Sequence, residues 1–265
     1  MILTSENYFS KEAGMEYISV SQYKDFFGSL GKVGCEARAL ARLRGEWEEP
    51  KSVSLMVGSY VDAHFEGTLD IFKAKNPDVF KKNGELKAEY KRAEEVINRV
   101  ERDPLFMQAM SGKKQVIMTG EIGGAKWKIK IDSYLPDTAI VDLKIMKSLI
   151  ESFYVKDIGI TNFIKYWGYD IQGAVYQEIV RQNVGKVLPF YISAASKEEE
   201  PDIGVFGFTD QELKDVLYEV EGNVGKLVAL KTGEIEPMRC EHCEYCRHTK
   251  VLHVPVHHSE ILTEV

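Results

Sequence analysis

Between residues 114 and 144 the chain changes texture, and that change sets most of what it can fold into. Upstream, apolar residues recur at helical spacing. Leu55, Val57, Val61, Phe65, Leu69 and Phe72 mark one helical segment over about 52–75, broken at Asn76-Pro77. A charged amphipathic helix is expected over about 85–110. Then three short runs, Lys114–Glu121, Ala125–Tyr134 and Thr138–Lys144, read as consecutive strands, with Gly123-Gly124 and Pro136-Asp137 where tight turns belong. A long helix is predicted over roughly Thr161–Gln182, followed by a strand at Val187–Ala195 and a polar loop at Glu198–Pro201. Thr209 can cap a last helix reaching about Lys231.

At the other end, 11–44 reads as a loop and two helices, the first capped by Ser19 or Ser21. Three strands bracketed by helices, then helix and strand again, predict an α/β fold with a mixed sheet flanked by helices. The 265 residues suffice for one domain over 1–265, with a core at about 52–195 and helical additions wrapping it.

The strands carry chemistry. Asp132 lies in the second, while Asp142 and Lys144 lie two apart in the third and so share a face. Antiparallel pairing across the short turn can bring Asp132 beside them. Two carboxylates and a lysine are what phosphodiester hydrolysis needs. Hard oxygens hold Mg²⁺ or Mn²⁺, and an ammonium orients or deprotonates water and offsets charge at the phosphate. An Asp-x-Lys pair alone is common, so the weight falls on what surrounds it.

Upstream stands Val57-Gly58-Ser59-Tyr60-Val61-Asp62-Ala63-His64, and the helix after the strands carries Gln172-Gly-Ala-Val-Tyr176. In this order the chain resembles the RecB-like branch of the PD-(D/E)XK nuclease clan. There a helix with a G-x-x-x-H-type motif precedes the strands, and Q-x-x-x-Y follows them. The resemblance runs from Ser19 to Cys246. It implies a restriction-endonuclease-like core and a Mg²⁺- or Mn²⁺-dependent deoxyribonuclease. Asp132, Asp142 and Lys144 would be catalytic. Gln172 would orient the attacked phosphate or the lysine, and Tyr176 would touch the DNA backbone. The chain departs from the pattern at the fourth residue after Gly58, which is Asp62; His64 comes two later. Positions two apart on a helix do not share a face. Asp62 is the preferred ligand and His64 the alternative, because a carboxylate replaces imidazole readily around these ions. Glu121, at a strand end, is a further candidate partner for Lys144 or the metal.

Four cysteines, Cys35, Cys240, Cys243 and Cys246, form a second constellation. Three at two-residue gaps can surround one centre, and a distant fourth can complete it, or His242 in its place. The layout resembles the iron staple of RecB-like nucleases. That implies a 4Fe–4S cluster, with zinc or free thiols as alternatives, tying the chain ends together. The later histidines, His248, His253, His257 and His258, read as an irregular tail.

Among such nucleases, the single-domain phage and prophage exonucleases of the exonuclease VIII (RecE) C-terminal type look most similar. That resemblance implies resection of linear duplex DNA from 5′ ends, leaving 3′ tails for a RecT-like annealing protein. With no P-loop for a helicase, processivity would come from a ring-shaped oligomer or a partner. Trp167 and Tyr169 are candidates for stacking on bases or for the core. A CRISPR-adaptation-type nuclease and a non-catalytic DNA-binding module are the other classes the sequence allows. The net charge of −7 does not select among them, since a carboxylate site adds negative charge beside a local basic groove. The first residues lack the basic start and apolar stretch of a secretory signal, and no apolar run is long enough to span a bilayer. The expected location is therefore the cytoplasm.

Overall fold

A computed structural model describes residues 1–50, 52–252, 254–255 and 257–258. The expected histidine at 253 lies outside the described residues. The N-terminal part contains α1 (Lys11–Glu16), α2 (Val20–Phe27), the small hairpin β1 (Gly28–Ser29) and β2 (Lys32–Val33), and α3 (Glu36–Arg44). Next come α4 (Val53–Phe65), α5 (Leu69–Lys75), a 3₁₀ turn at Pro77–Val79, α6 (Ala88–Glu101) and α7 (Pro104–Ala109). The strands are β3 (Val116–Ile122), β4 (Ala125–Ile131), β5 (Ser133–Leu135) and β6 (Ala139–Met146). A hairpin follows, β7 (Phe153–Val155) and β8 (Gly159–Thr161), then α8 (Phe163–Tyr166) and α9 (Tyr169–Val184). Last among the described elements come β9 (Phe190–Ser196), β10 (Ile203–Gly207), α10 (Asp210–Thr232) and α11 (Glu244–His248).

The central sheet has the order β10-β9-β6-β5. β6 and β9 run parallel across the α8–α9 connection, while β5 and β10 pair antiparallel at the edges. This is the mixed α/β fold expected. Alternation along β6 then decides which side each residue serves. Ala139, Val141 and Leu143 join the core built on α4, α6 and α7. Ile140, and with it Asp142 and Lys144, faces the side covered by α9. On β9, Phe190, Ile192 and Ala194 line that same side. α9 comes close to the sheet because residue 173 is glycine: a Cβ there would lie 2.7 Å from Phe190 Cδ1.

Several boundaries differ from the sequence expectation, each for a local reason. The second predicted strand is interrupted at Asp132. β3 and β4 form a separate two-stranded sheet, and the chain bends at Asp132 before entering the main sheet as β5. The long helix expected from Thr161 is split, because Gly168 takes a left-handed conformation (φ +64°) between α8 and α9. The 85–110 helix is likewise divided: Asp103 caps a new helix with Pro104 at its first position. β10 lies between the polar loop expected at Glu198–Pro201 and the Thr209 cap, where no strand is expected. Its middle is only half buried, so its apolar signal is short. Ser19, not Ser21, caps α2, and Thr209 starts α10 with a reciprocal capping box to Glu212, worth about 1 kcal/mol. His248 is not part of an irregular tail. It ends α11 and packs on Trp47 at 5.3 Å. Among the described residues no helix is long and apolar enough to cross a membrane.

Candidate active site

The bend at Asp132 is what assembles the site. β5 pairs β6 with Ser133 opposite Val141, so the next position along places Asp132 opposite Asp142. The Leu143 N–H donates to Asp132 Oδ2 at 3.0 Å and fixes the carboxylate there. Gln115, held at a positive φ of 53°, donates its side-chain N–H to Asp132 Oδ1 at 3.3 Å. Asp142 is only 3% exposed. One of its oxygens receives the Lys144 ammonium and the other the Gln172 amide. Lys144 also lies 5.1 Å above the Tyr169 ring, whose hydroxyl donates to Met146 Sδ.

The electrostatics follow from this crowding. Burial raises the Asp132 carboxyl well above the usual range, and the neighbouring Asp142 and Asp62 charges push it further. Asp62 is raised to about 7 by burial, with Lys144 pulling it down and Asp142 and Glu66 pushing it up. Burial works against the Lys144 charge, but Asp142, Tyr169 and Asp132 together hold its pKa above the ordinary lysine value. These are carboxylates short of positive charge around one firmly charged lysine. That oxygen-rich donor set fits a hard divalent cation, with Asp62, Asp132 and Asp142 as the residues to hold it.

The remaining predicted residues separate cleanly. Asp62 and Asp132 line one small cavity together with Glu66 and Gln115. His64 sits on another face of α4, its Nε2 2.8 Å from Glu101. Glu121 is not brought to the site. It is exposed, its backbone is bonded by Gln182, and it lies six residues up the hairpin, about 20 Å from Asp132. The Tyr176 hydroxyl donates to the Lys130 carbonyl at 3.1 Å, from the floor of a cleft of about 750 Å³. Trp167 is 37% exposed, packed edge-on against Phe153 and Tyr166.

That cleft brings together residues the sequence reading did not single out. Lys11, Lys24, Arg42, Lys128 and Lys130 line it with Lys144. Lys24 is lowered to about 8 by burial and by Lys144, against the pull of Asp142 and Asp170, and Lys128 is lowered to about 8 by burial. The signal for two of them was present. In Lys126-Trp-Lys128-Ile-Lys130-Ile-Asp132 a period of two puts Lys128 and Lys130 on one face, while Trp127, Ile129 and Ile131 are fully buried on the other. Lys24 and Arg42 come from distant helices and carried no such mark.

The four thiols also meet. All Sγ atoms lie within 4.8 Å of one another, with Cys35–Cys246 at 3.6 Å and Cys240–Cys246 at 3.9 Å. Cys240 is lowered to about 6 by N–H groups of His242 and Cys243 acting against burial, and burial pushes Cys243 up to about 12. Around this group Glu36 accepts from Met238 N and pairs with Lys226, so the start of α3 is bound to the C-terminal segment. A soft metal centre fits this all-thiolate set. With metal–sulfur bonds of about 2.3 Å, a tetrahedral ion separates its sulfurs by about 3.8 Å, close to the Cys35–Cys246 and Cys240–Cys246 separations. A 4Fe–4S cubane would need to spread them. Metal analysis of anaerobically purified protein should find about one zinc, or iron with acid-labile sulfide, per chain. Neither metal, with full stability in Cys243→Ser, would remove the staple.

A second expectation concerns pH. A carboxyl whose folded pKa is raised keeps its proton where the unfolded chain has already lost it. Folding stability therefore falls as pH rises from the unfolded value of about 4 to the folded value of about 7 for Asp62. Above that, the cost is fully present until a cation relieves it. Mg²⁺ should thus raise the melting temperature of the protein more at about pH 8 than at about pH 5.5. Asp62→Asn should raise the metal-free melting temperature at the higher pH and remove most of the Mg²⁺ gain. Equal Mg²⁺ effects at both pH values would contradict the assignment.

Comparison with known proteins now has a geometry to meet. Residues 19–249 match the family described as a PDDEXK-like domain of unknown function (DUF3799). A crystal structure of a "putative exonuclease" from Eubacterium rectale is 58% identical, with a TM-score of 0.95 over 97% of each chain. A second structure, SSO0001, is 11% identical over 73% of this chain and 85% of its own, with a TM-score of 0.31, and carries no weight here. No curated protein matches the chain. With the mixed sheet in place and the family model spanning most of the sequence, the chain belongs to the PDDEXK-like family DUF3799 and has the PD-(D/E)XK fold.

Proposed function

We propose that this protein is a metal-dependent DNA exonuclease that resects linear duplex DNA from 5′ ends, leaving 3′ single-stranded tails for recombination of the phage type. The observation that carries the reading is the Asp142–Lys144 pair, with Lys144 lining a lysine-rich cleft and Asp132 opposite Asp142. The family and the name given to the Eubacterium rectale protein support a nuclease. Polarity and the recombination role rest on the resemblance to exonuclease VIII-type enzymes.

In this reading the basic cleft neutralises phosphates along one strand and delivers the scissile one to Lys144. Lys144 stays protonated beside Asp142, so its ammonium donates to a phosphate oxygen and offsets charge as it builds there. Gln172 holds the second oxygen of Asp142 and keeps that carboxylate from rotating. Asp62, Asp132 and Asp142 would hold Mg²⁺ or Mn²⁺, which when bound lowers the pKa of water and polarises the phosphate. Tyr176 anchors the Lys130 backbone at the cleft floor, a positioning role more than a contact with DNA. The thiol centre secures α3, which contributes Ala39, Arg42 and Leu43 to the cleft wall. A RecT-like annealing protein as partner and a ring-shaped oligomer for processivity complete the proposal.

The test is digestion of duplex DNA labelled at one end, with and without chelator. Linear DNA should lose a 5′ label as short products in Mg²⁺ or Mn²⁺ while the 3′ label persists in lengthening single strands, and closed circular DNA should survive. Cutting of closed circles would replace the exonuclease with an endonuclease. Release of the 3′ label first would reverse the polarity.

A further inference from the structure

Phe9, in the turn before α1, lines the same cavity as Asp62 and Asp132. It is 79% exposed, yet the backbone on either side is fastened. The Thr4 N–H donates to Asn7 Oδ1 at 2.7 Å, Tyr8 N–H to the Thr4 carbonyl at 3.0 Å and Ser10 N–H to the Asn7 carbonyl at 2.9 Å. Ser10 then caps α1. The neighbouring Tyr8 is buried, with its ring edge-on to Phe9 at 5.0 Å and the Lys128 ammonium over its face at 4.7 Å. Lys130 lies 4.7 Å over the Phe9 ring itself. An aromatic ring is therefore held out in water on a fixed support, with a lysine ammonium over its face.

Its position gives the reason. Phe9 and Lys130 line both the basic cleft and a second cavity of about 450 Å³ on the far side of the carboxylates. The second cavity is lined by Asp62, Asp132, Gln115, Phe72 and Asn76, among others. Phe9 thus stands on the saddle between the two, next to the residues proposed to hold the cation. A strand end passing from the basic cleft into this second cavity meets Phe9 on the way. An aromatic face accepts any base, because every base has a π-face to stack on, and Lys130 beneath it offers a cation to the adjoining phosphate.

We propose that Phe9 is a strand-separating platform. It stacks on the base at the end of the duplex, unpairs it from its partner, and turns the terminal nucleotide into the cavity beyond the carboxylates. The proposal rests on the nuclease reading above and specifies which substrate end that site takes.

The test compares wild type, Phe9→Ala and Phe9→Tyr on two linear duplexes in Mg²⁺, one blunt and one with its terminal pairs mismatched. Phe9→Ala should cleave the blunt end at least about tenfold more slowly than wild type, and the mismatched end less than about threefold more slowly, since the mismatch has already done the unpairing. Phe9→Tyr should restore the blunt-end rate. Equal rates for wild type and Phe9→Ala on the blunt end would overturn the proposal. So would equal slowing on both ends, which makes Phe9 a general DNA contact. If wild type cleaves neither substrate, the nuclease reading itself has failed, a result told apart from the others by the wild-type lane alone.

Discussion

A carboxylate 3% exposed must be paired or it will take up a proton, and the arrangement of this protein around Asp142 answers that demand. Lys144 reaches back from two residues further along the same strand face. Gln172 reaches over from α9, and it can do so only because Gly173 lets the helix lie against β9. The parallel pairing of β6 with β9 sets the height of that helix, and the β5–β6 register sets Asp132 opposite. Removing any of these elements leaves a buried charge without its partner. Fold and site are in this sense one construction.

The same crowding explains the division of charge. The chain carries a net −7, yet the cleft leading to Lys144 is lined by lysines and one arginine. Three acidic residues, Asp25, Glu48 and Glu49, also line it, and two of them, Asp25 and Glu49, are engaged by Arg42, at 2.8 and 3.7 Å. Buried carboxyls are gathered instead at Asp62 and Asp132, whose raised pKa marks the demand for a cation there. A polyanion attracted to the lysines and a divalent cation attracted to the carboxylates would meet at Asp142. The thiol group acts at a distance from this, binding the start of α3 to the C-terminal segment and so holding one wall of the cleft.

How much of this the sequence could show depended on whether the signal was local. Asp142 and Lys144 sit two apart in an apolar strand, and Gln172 and Tyr176 one turn apart on a helix, so short-range periodicity displayed both pairs. The α/β order followed from the switch of period near residue 114. The break at Asp132 left only a faint mark, a polar Ser133 where the alternation of Trp127, Ile129 and Ile131 calls for an apolar residue, with no glycine or proline to show a bend. β10 was lost because its residues are half buried and flanked by a polar loop. Lys24, Arg42, Phe9 and Gln115 reach the site through tertiary packing, and nothing beside them in the chain marks them. Glu121 shows the converse. It looked close in sequence to the catalytic strands, but the hairpin carries it to the far end.

In the proposed function, metal-dependent cleavage turns on Asp142. The most direct measurement is single-turnover hydrolysis of linear duplex DNA in Mg²⁺ by wild type and by Asp142→Asn, which keeps the shape and a hydrogen-bonding group while removing the charge, with circular dichroism confirming that both are folded. The account predicts chelator-sensitive cleavage by wild type and a loss of at least about a thousandfold in the folded variant. Cleavage by a folded Asp142→Asn at the wild-type rate would place the chemistry elsewhere in the protein and contradict the account.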